Sequence, residues 1–399
     1  MGFYIGNLTS DWLPKFITAE TLSRHTIYGV SFDGVTHKGV RLYDAEGLNW
    51  TPSSTTLLGY DDFRSRKSFG FKRCLMKPGS GGASCTINSY YDDLGLTPSA
   101  YNKKAVNENL DRFIEYDCYY YSRPNKWTWL ISPDYIDGFY PCPACDRAGK
   151  ILSKFYMSEY MPNSSYRMLE GYYPLSKTSI NTFRTNLRAR GYRVSDYANY
   201  QSVVMLALIK YADLNFGLCL GQGWTSTNST QISSGDNILG DDGYSGATKN
   251  VNASIKSMGV VDLYANQWKH CDGIFHYDRY VYVNDDLDNI TEYPTMFTWE
   301  AMGYKKVGIR LAPYGREITF NDISYDSQFP WMAYPTGTGG DSTNPIGANY
   351  WIYDTKISTF TVGAANDKVT FSNAFGFATF TPDDNTAYHI SCLATAFPK

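Results

Sequence analysis

Apolar and polar positions alternate with a period of two in short runs through the first part of this 399-residue chain. Such alternation predicts strands, because successive strand side chains point to opposite faces of a sheet. The runs are Thr26-Ile27-Tyr28-Gly29-Val30-Ser31-Phe32, Gly39-Val40-Arg41-Leu42-Tyr43, Lys126-Trp127-Thr128-Trp129-Leu130-Ile131 and Ile151-Leu152-Ser153-Lys154-Phe155-Tyr156-Met157. Asp33-Gly34 separates the first two and is a hairpin signal. One helical insertion is expected near residues 105–113.

The period then changes. Ile180, Phe183 and Leu187 recur at the spacing of one buried helix face, which predicts a helix over 180–190. Ser179 is its expected cap and Gly191 its left-handed exit. A second helix is expected with Ser195 as cap and Tyr197, Tyr200, Val204, Leu208 and Tyr211 on its apolar face. It contains the longest apolar run, 203–209, which reads as buried. Residues 221–258 are crowded with Gly, Ser, Thr and Asn, and from 259 onward short strands return between long polar loops. A two-helix unit followed by many short antiparallel strands predicts an α+β fold. The expected division is an N-terminal arm over 1–25, a β-rich domain over 26–175 and a domain over 176–399, in keeping with a chain too long for one ordinary domain.

Hydrophobic residues make up 43% and charged residues 19%, so the chain can bury real cores and is not disordered. A net charge of -3 and a pI near 6.0 leave no electrostatic footprint for nucleic acid, and no such partner is expected. The N-terminus lacks the basic-then-apolar pattern of a secretory signal. No run is long and apolar enough to predict a membrane span. The 35 Tyr, 21 Phe and 9 Trp change the picture more. Tyrosine joins a flat apolar face to a polar tip, which suits a recognition surface and equally suits the strands of a β-rich protein.

Eight cysteines, at 74, 85, 118, 142, 145, 219, 271 and 392, are scattered and read as reduced thiols, not as a disulfide framework. Cys142-Pro143-Ala144-Cys145 has the spacing of a zinc half-site or redox pair. Zinc needs two more ligands, and no second CxxC or HxxxH exists, so these read as ordinary core or loop thiols. The five histidines, at 25, 37, 270, 276 and 389, form no HExxH or triad context. His270 and Cys271 are neighbours on an expected strand and point to opposite faces, which disfavours a base–nucleophile pair. Acid pairs occur at Asp61-Asp62, Asp92-Asp93, Asp241-Asp242, Asp285-Asp286 and Asp383-Asp384. The best oxygen-rich loop for calcium, Gly235-Asp236-Asn237 with Gly240-Asp241-Asp242-Gly243, lacks the EF-hand order and reads as solvated turns. No metal, cofactor or catalytic residue is expected.

The order of segments over about 170–399 resembles the C-type-lectin-like domain of phage tail-fibre proteins and retroelement-diversified variable proteins, and more distantly the formylglycine-generating-enzyme fold. Phe183-Arg184-Thr185-Asn186-Leu187-Arg188-Ala189-Arg190-Gly191-Tyr192 resembles the family's first helix, and Leu220-Gly221-Gln222-Gly223 its glycine loop. Gly259-Val260-Val261-Asp262-Leu263-Tyr264-Ala265-Asn266-Gln267-Trp268-Lys269-His270-Cys271-Asp272-Gly273-Ile274 is similar to its central signature, carried here by Asn266, Trp268, Asp272 and Gly273. A second tryptophan often seen there is Cys271 in this chain. Phe329-Pro330-Trp331-Met332 and Asn349-Tyr350-Trp351 resemble the approach to the family's variable region, and Gly376-Phe377 its last strands. The usual Gly-x-Arg-Leu ending is Ser391-Cys392-Leu393 here. Shorter matches, such as Tyr28-Gly29-Val30 and Ile136-Asp137-Gly138-Phe139, extend the likeness into the N-terminal half.

The resemblance implies a receptor-recognition protein of a phage tail or tail-like particle, located in the virion tail after assembly in the host cytoplasm. It implies a tail-attachment role for 26–175 and receptor binding by 176–399. The ligand face maps onto Asn349, Tyr350, Trp351, Tyr353, Asn366, Asp367, Lys368, Asp383, Asp384 and Asn385. Implied partners are a bacterial surface receptor, protein or glycan, other tail proteins, and two further copies of the chain in a trimer. The alternative is a structural tail or baseplate protein using the lectin-like fold for assembly. An enzyme, formylglycine-generating or glycan-cleaving, ranks third; Cys392 lies where one active-site cysteine of the former would fall, without a matched partner.

Overall fold

Alternation predicts strands, and strands dominate the computed structural model. It describes residues 17–399 apart from 37, 148, 225–230, 236–237, 245–253, 285–289, 291–297, 311–314, 339–345, 347–348, 353–357, 364–374, 376 and 381–389. For 309–310, 315–321, 335, 337–338, 349–352, 358–360 and 377–380 only the backbone is described. Among the described residues the chain is β-rich with six α-helices, and nearly all strand pairings are antiparallel.

Three sheets carry the architecture. The first has five strands, in the order Gly39–Tyr43, Tyr28–Phe32, Thr128–Ser132, Tyr120–Asn125 and Tyr140–Pro141. The expected hairpin at its edge forms in register Tyr28↔Tyr43, with the Asp33 carboxylate accepting from the Val35 N–H in the turn. The second sheet has six strands: Tyr192–Val194, Ala394–Ala396, Lys154–Ser158, Asp111–Asp117, Phe71–Lys77 and Thr86–Tyr90. Here the chain's last strand slots between one strand from either side of position 175. The segments 26–175 and 176–399 therefore share a sheet, and one apolar core runs through both, from Val30 and Trp129 to Val283 and Tyr334. The third sheet has nine strands and comes wholly from the C-terminal half.

Both long helices form where the spacing predicts them. Ile180–Ala189 is capped by Ser179, whose hydroxyl accepts from the Thr182 N–H, and Gly191 leaves at φ +77. A Cβ there would also stand 2.4 Å from the Ala83 carbonyl oxygen, so the position has room only for glycine. Tyr197–Tyr211 is the central core helix, and all its residues are buried, not only the five on the expected face. A helix with sheet on more than one side has no solvent face to reserve for polar residues. Its cap is Asp196, whose carboxylate accepts from the Asn199 N–H, and not Ser195, one residue earlier. The insertion expected near 105–113 is a helix over Pro98–Asn107, because Thr97 caps it and Pro98 fits its first turn, while 111–117 continues as a strand.

Buried charges tie the second sheet to the C-terminal half. Glu159, fully buried, accepts from Arg112 at 2.8 and 2.9 Å and from Arg73 at 3.1 Å. Its own carbonyl accepts from the Val261 N–H at 2.9 Å, within the signature segment. Asp241 takes Arg64 and Arg73, each at 2.5 Å, and Asp242 takes Lys210 at 2.5 Å. Asp241 and Asp242 of the candidate calcium loop are thus committed to cations of the protein; Asp236 and Asn237 lie outside the described residues. No described helix is long and apolar enough to cross a membrane.

Candidate functional site

The signature residues form a buried frame. Trp268–Tyr277 is a strand buried on both faces and central in the nine-stranded sheet. Trp268 opens it, pairing in parallel with Ile390. Asp272 and Gly273 stand where its register with Ser358–Val362 shifts, and Gly273 has φ +72. That bulge re-aims the strand. The Asp272 carboxylate receives Arg184 from the first long helix through Nε at 3.0 and 3.2 Å and also through Nη2, and its N–H donates to the Ser195 carbonyl at 3.1 Å. Asn266, itself left-handed at φ +56, brackets the Ile232 backbone, donating to its carbonyl at 3.1 Å and accepting from its N–H at 3.2 Å. It also donates to Asp262 at 2.9 Å. Burial raises the Asp262 carboxyl, against the hydrogen bonds from Asn266 and Ser234 and the charge of Lys269. Burial lowers Lys269 to about 7, with Asp262 opposing, and its ammonium donates to the Ala265 carbonyl at 2.6 Å.

His270 and Cys271 do face opposite ways. His270 meets the Phe183 ring at 6.1 Å, while Cys271 joins the main core with Tyr197 and Tyr200. Burial lowers His270 to about 3, aided by Arg184, and pushes the Cys271 thiol well up. These are the states of packed core groups, in which neither imidazolium nor thiolate is favoured.

The third sheet extends outward from the signature strand in the order Ser358–Val362, Phe377–Phe380, Asn349–Ile352, Gly315–Ile323 and Pro335–Thr338. Of the residues mapped to the ligand face, Asn349, Tyr350 and Trp351 lie on the third strand out, with Trp351 opposite Arg316 and Ala378. Their backbone alone is described. Tyr353, Asn366, Asp367, Lys368, Asp383, Asp384 and Asn385 lie outside the described residues.

The same wing contributes a feature that the pattern of residues did not reveal. The loop 324–334 joins Gly315–Ile323 to Pro335–Thr338 and is clamped by Arg123, which reaches over from the five-stranded sheet. Arg123 donates to the carbonyls of Met332 at 2.5 Å, Ser324 at 2.6 Å and Lys126 at 2.8 Å, and stacks 4.3 Å over Trp129. Burial lowers its pKa to about 9. The clamped loop forms one wall of an open cleft of about 480 Å³, with Gln328, Pro330 and Trp331 facing Tyr140, Pro143 and Asp146. Tyr140 is 56% exposed, and Trp331 is half-buried against Tyr197 at 5.9 Å between ring centres. Flat aromatic faces with a few polar neighbours suit contact with a sugar ring or an extended peptide. A sequence signal existed in the Phe329-Pro330-Trp331 run, but its partner wall lies about 190 residues away in the chain.

Behind the lining residues Pro141, Pro143 and Asp146, Cys142 and Cys145 are buried, and the fold brings Cys118 to them. The three sulfurs lie within 4.8 Å of one another. Burial opposes ionisation of Cys142, but the Cys118 and Cys145 thiols and backbone N–H groups of Tyr119 and Cys145 pull its pKa well below the usual thiol range. Hydrogen bonding to its neighbours pushes Cys145 up, and Cys118 is raised mainly by Cys142.

No protein-family model matches this chain, and no curated protein does. Solved structures with some likeness include three variants of the Major Tropism Determinant. The P3c variant aligns with a TM-score of 0.31 at 11% identity, and the M1 and I1 variants each with 0.30 at 10%. Each alignment covers 96% of this chain and 85% of the other. The likeness is coarse.

Proposed function

We propose that this chain is a non-catalytic receptor-recognition protein of a phage tail or tail-like particle. Residues 176–399 act as its C-type-lectin-like part, and the outer wing of the nine-stranded sheet contacts a protein or glycan on the bacterial surface. The chain functions in the virion tail, as a trimer whose copies raise the avidity of a weak site. The observation that carries this reading is the division of labour in the third sheet. The polar groups of Asn266 and Asp272 are spent on the frame, while the wing beyond them holds Asn349, Tyr350, Trp351 and the clamped loop with Trp331. A rigid frame that displays aromatic-bearing strands and loops is the arrangement binding proteins use.

Adsorption of the purified chain to a panel of bacterial strains tests the reading. Saturable binding to at least one strain, reduced by Trp351→Ala and Tyr353→Ala in folded protein, is the expected result. Unchanged binding by both folded variants removes these residues from the ligand face.

A further inference from the structure

We propose that Cys118, Cys142 and Cys145 form a metal site that takes one zinc ion, or a similar thiophilic divalent cation, through three sulfurs. Three observations carry it. The first is convergence: sulfurs from two separate segments lie within 4.8 Å of one another, all are free, and Cys142 and Cys145 are fully buried. Tetrahedral zinc with Zn–S bonds near ~2.3 Å asks for such a cluster.

The second is the backbone around them. The Cys145 and Asp146 N–H groups both turn back on the Cys142 carbonyl, at 2.9 and 3.2 Å. The chain then makes the tight hairpin of Asp146–Arg147 and Lys150–Ile151, turned by Gly149 at φ +80, and the Leu152 N–H returns to the Cys145 carbonyl at 2.9 Å. The CxxC is thus wound into a knuckle presenting both sulfurs to one side. Cys118 is held to the same side by two crossing bonds: its N–H donates to the Ser153 carbonyl at 2.8 Å, and the Cys142 N–H donates to the Tyr119 carbonyl at 2.7 Å.

The third is the shell around the knuckle. Arg147 donates to the Ala144 carbonyl at 2.9 Å and to Asp196 at 2.9 Å, and the Ala144 N–H donates to the Ser202 hydroxyl at 3.0 Å. The knuckle is pinned to the core helix and its cap through Ala144 and Arg147, so the sulfurs are positioned before any ion arrives. Cys118 is only half-buried, and the fourth ligand of the proposed site is a water from its side of the cluster. Binding displaces thiol protons to water and needs no oxidant.

The experiment uses the full-length chain, purified without chelator under reducing conditions, with metal content by mass spectrometry of the ions and with cobalt(II) titrated into demetallated protein. Expected results are one zinc per chain and, with cobalt, sulfur-to-metal charge-transfer and tetrahedral ligand-field bands. Cys118→Ser, Cys142→Ser and Cys145→Ser each weaken those bands, whereas Cys219→Ser leaves them unchanged. The wild-type titration stands even where a variant fails to fold. Wild-type protein that retains no metal and gives no cobalt bands overturns the proposal. So does a Cys142–Cys145 disulfide in protein handled without air. Neither outcome bears on receptor binding.

Discussion

The signature segment, 259–274, and the thiol knuckle with Cys118 are both short motifs held in place by distant parts of the chain, yet they relate to the sequence in opposite ways. The first is contiguous. Its glycines, Asp-Gly bulge and Asn-x-Trp spacing can be read in one stretch, and its partners satisfy what that stretch demands. The second is half a motif in sequence. Cys142 and Cys145 lack enough ligands until the sheet supplies Cys118, 24 residues upstream of Cys142. Local spacing reports what a segment needs, and the topology decides whether it gets it.

The largest effect expected is on the frame. Asp272→Asn or Arg184→Met leaves one buried charge without its partner and should cost about 3–5 kcal/mol in denaturant unfolding. The double replacement Arg184→Met with Asp272→Leu should cost far less, since two buried charges leave together. Equal losses for single and double variants would mean that the pair does not hold the helix to the strand.

Next comes a pH dependence in the same strand. His276 is buried, with no hydrogen-bond partner at either ring nitrogen among the described residues, and burial lowers its pKa to about 4. The unfolded chain binds that proton near ~6.5. Stability therefore holds above that value and falls as the pH drops toward 4, by up to about 3 kcal/mol. His276→Phe should flatten this part of the pH profile. An unaltered slope would assign it to other groups, His270 foremost, which burial lowers to about 3.

Smaller effects separate the wing from the frame. Arg123→Met removes the donor shared by the Ser324, Lys126 and Met332 carbonyls and should cost about 2 kcal/mol, with raised hydrogen exchange confined to the 324–334 loop. Exchange rising equally across the signature strand would show that loop and frame open together. Gly273→Ala, at φ +72, should cost about 1 kcal/mol or more through backbone strain.

Much of the fold was legible where one stretch of chain decides the outcome. The hairpin around Asp33-Gly34, the strand Gly39–Tyr43, and the helix from Ser179 to Gly191 follow from alternation, capping and turn chemistry. The misses have one origin. Asp196 outcompetes Ser195 as cap because Arg147, from a distant hairpin, holds its other oxygen, while the Ser195 backbone is taken by Leu393 and Asp272. The sharing of a sheet by Lys154–Ser158, Tyr192–Val194 and Ala394–Ala396 joins residues 200 or more positions apart, which no periodicity encodes. The candidate site divides in the same way. The frame residues Asn266, Trp268, Asp272 and Gly273 stood out in one stretch. The cleft did not, because its walls meet only when the five-stranded sheet closes on the wing.

The central claim, that the wing and the cleft it shares with Tyr140 of the five-stranded sheet are a recognition surface hung on a structural frame, is tested most directly by equilibrium binding to whole bacterial cells. Wild type is compared with Tyr140→Ala, Trp331→Ala and Trp351→Ala, each checked by thermal melting. The account predicts a loss of about tenfold in affinity for at least one aromatic variant whose melting temperature stays near wild type, as for an interface anchor. Cell binding that survives all three substitutions in folded protein would contradict it.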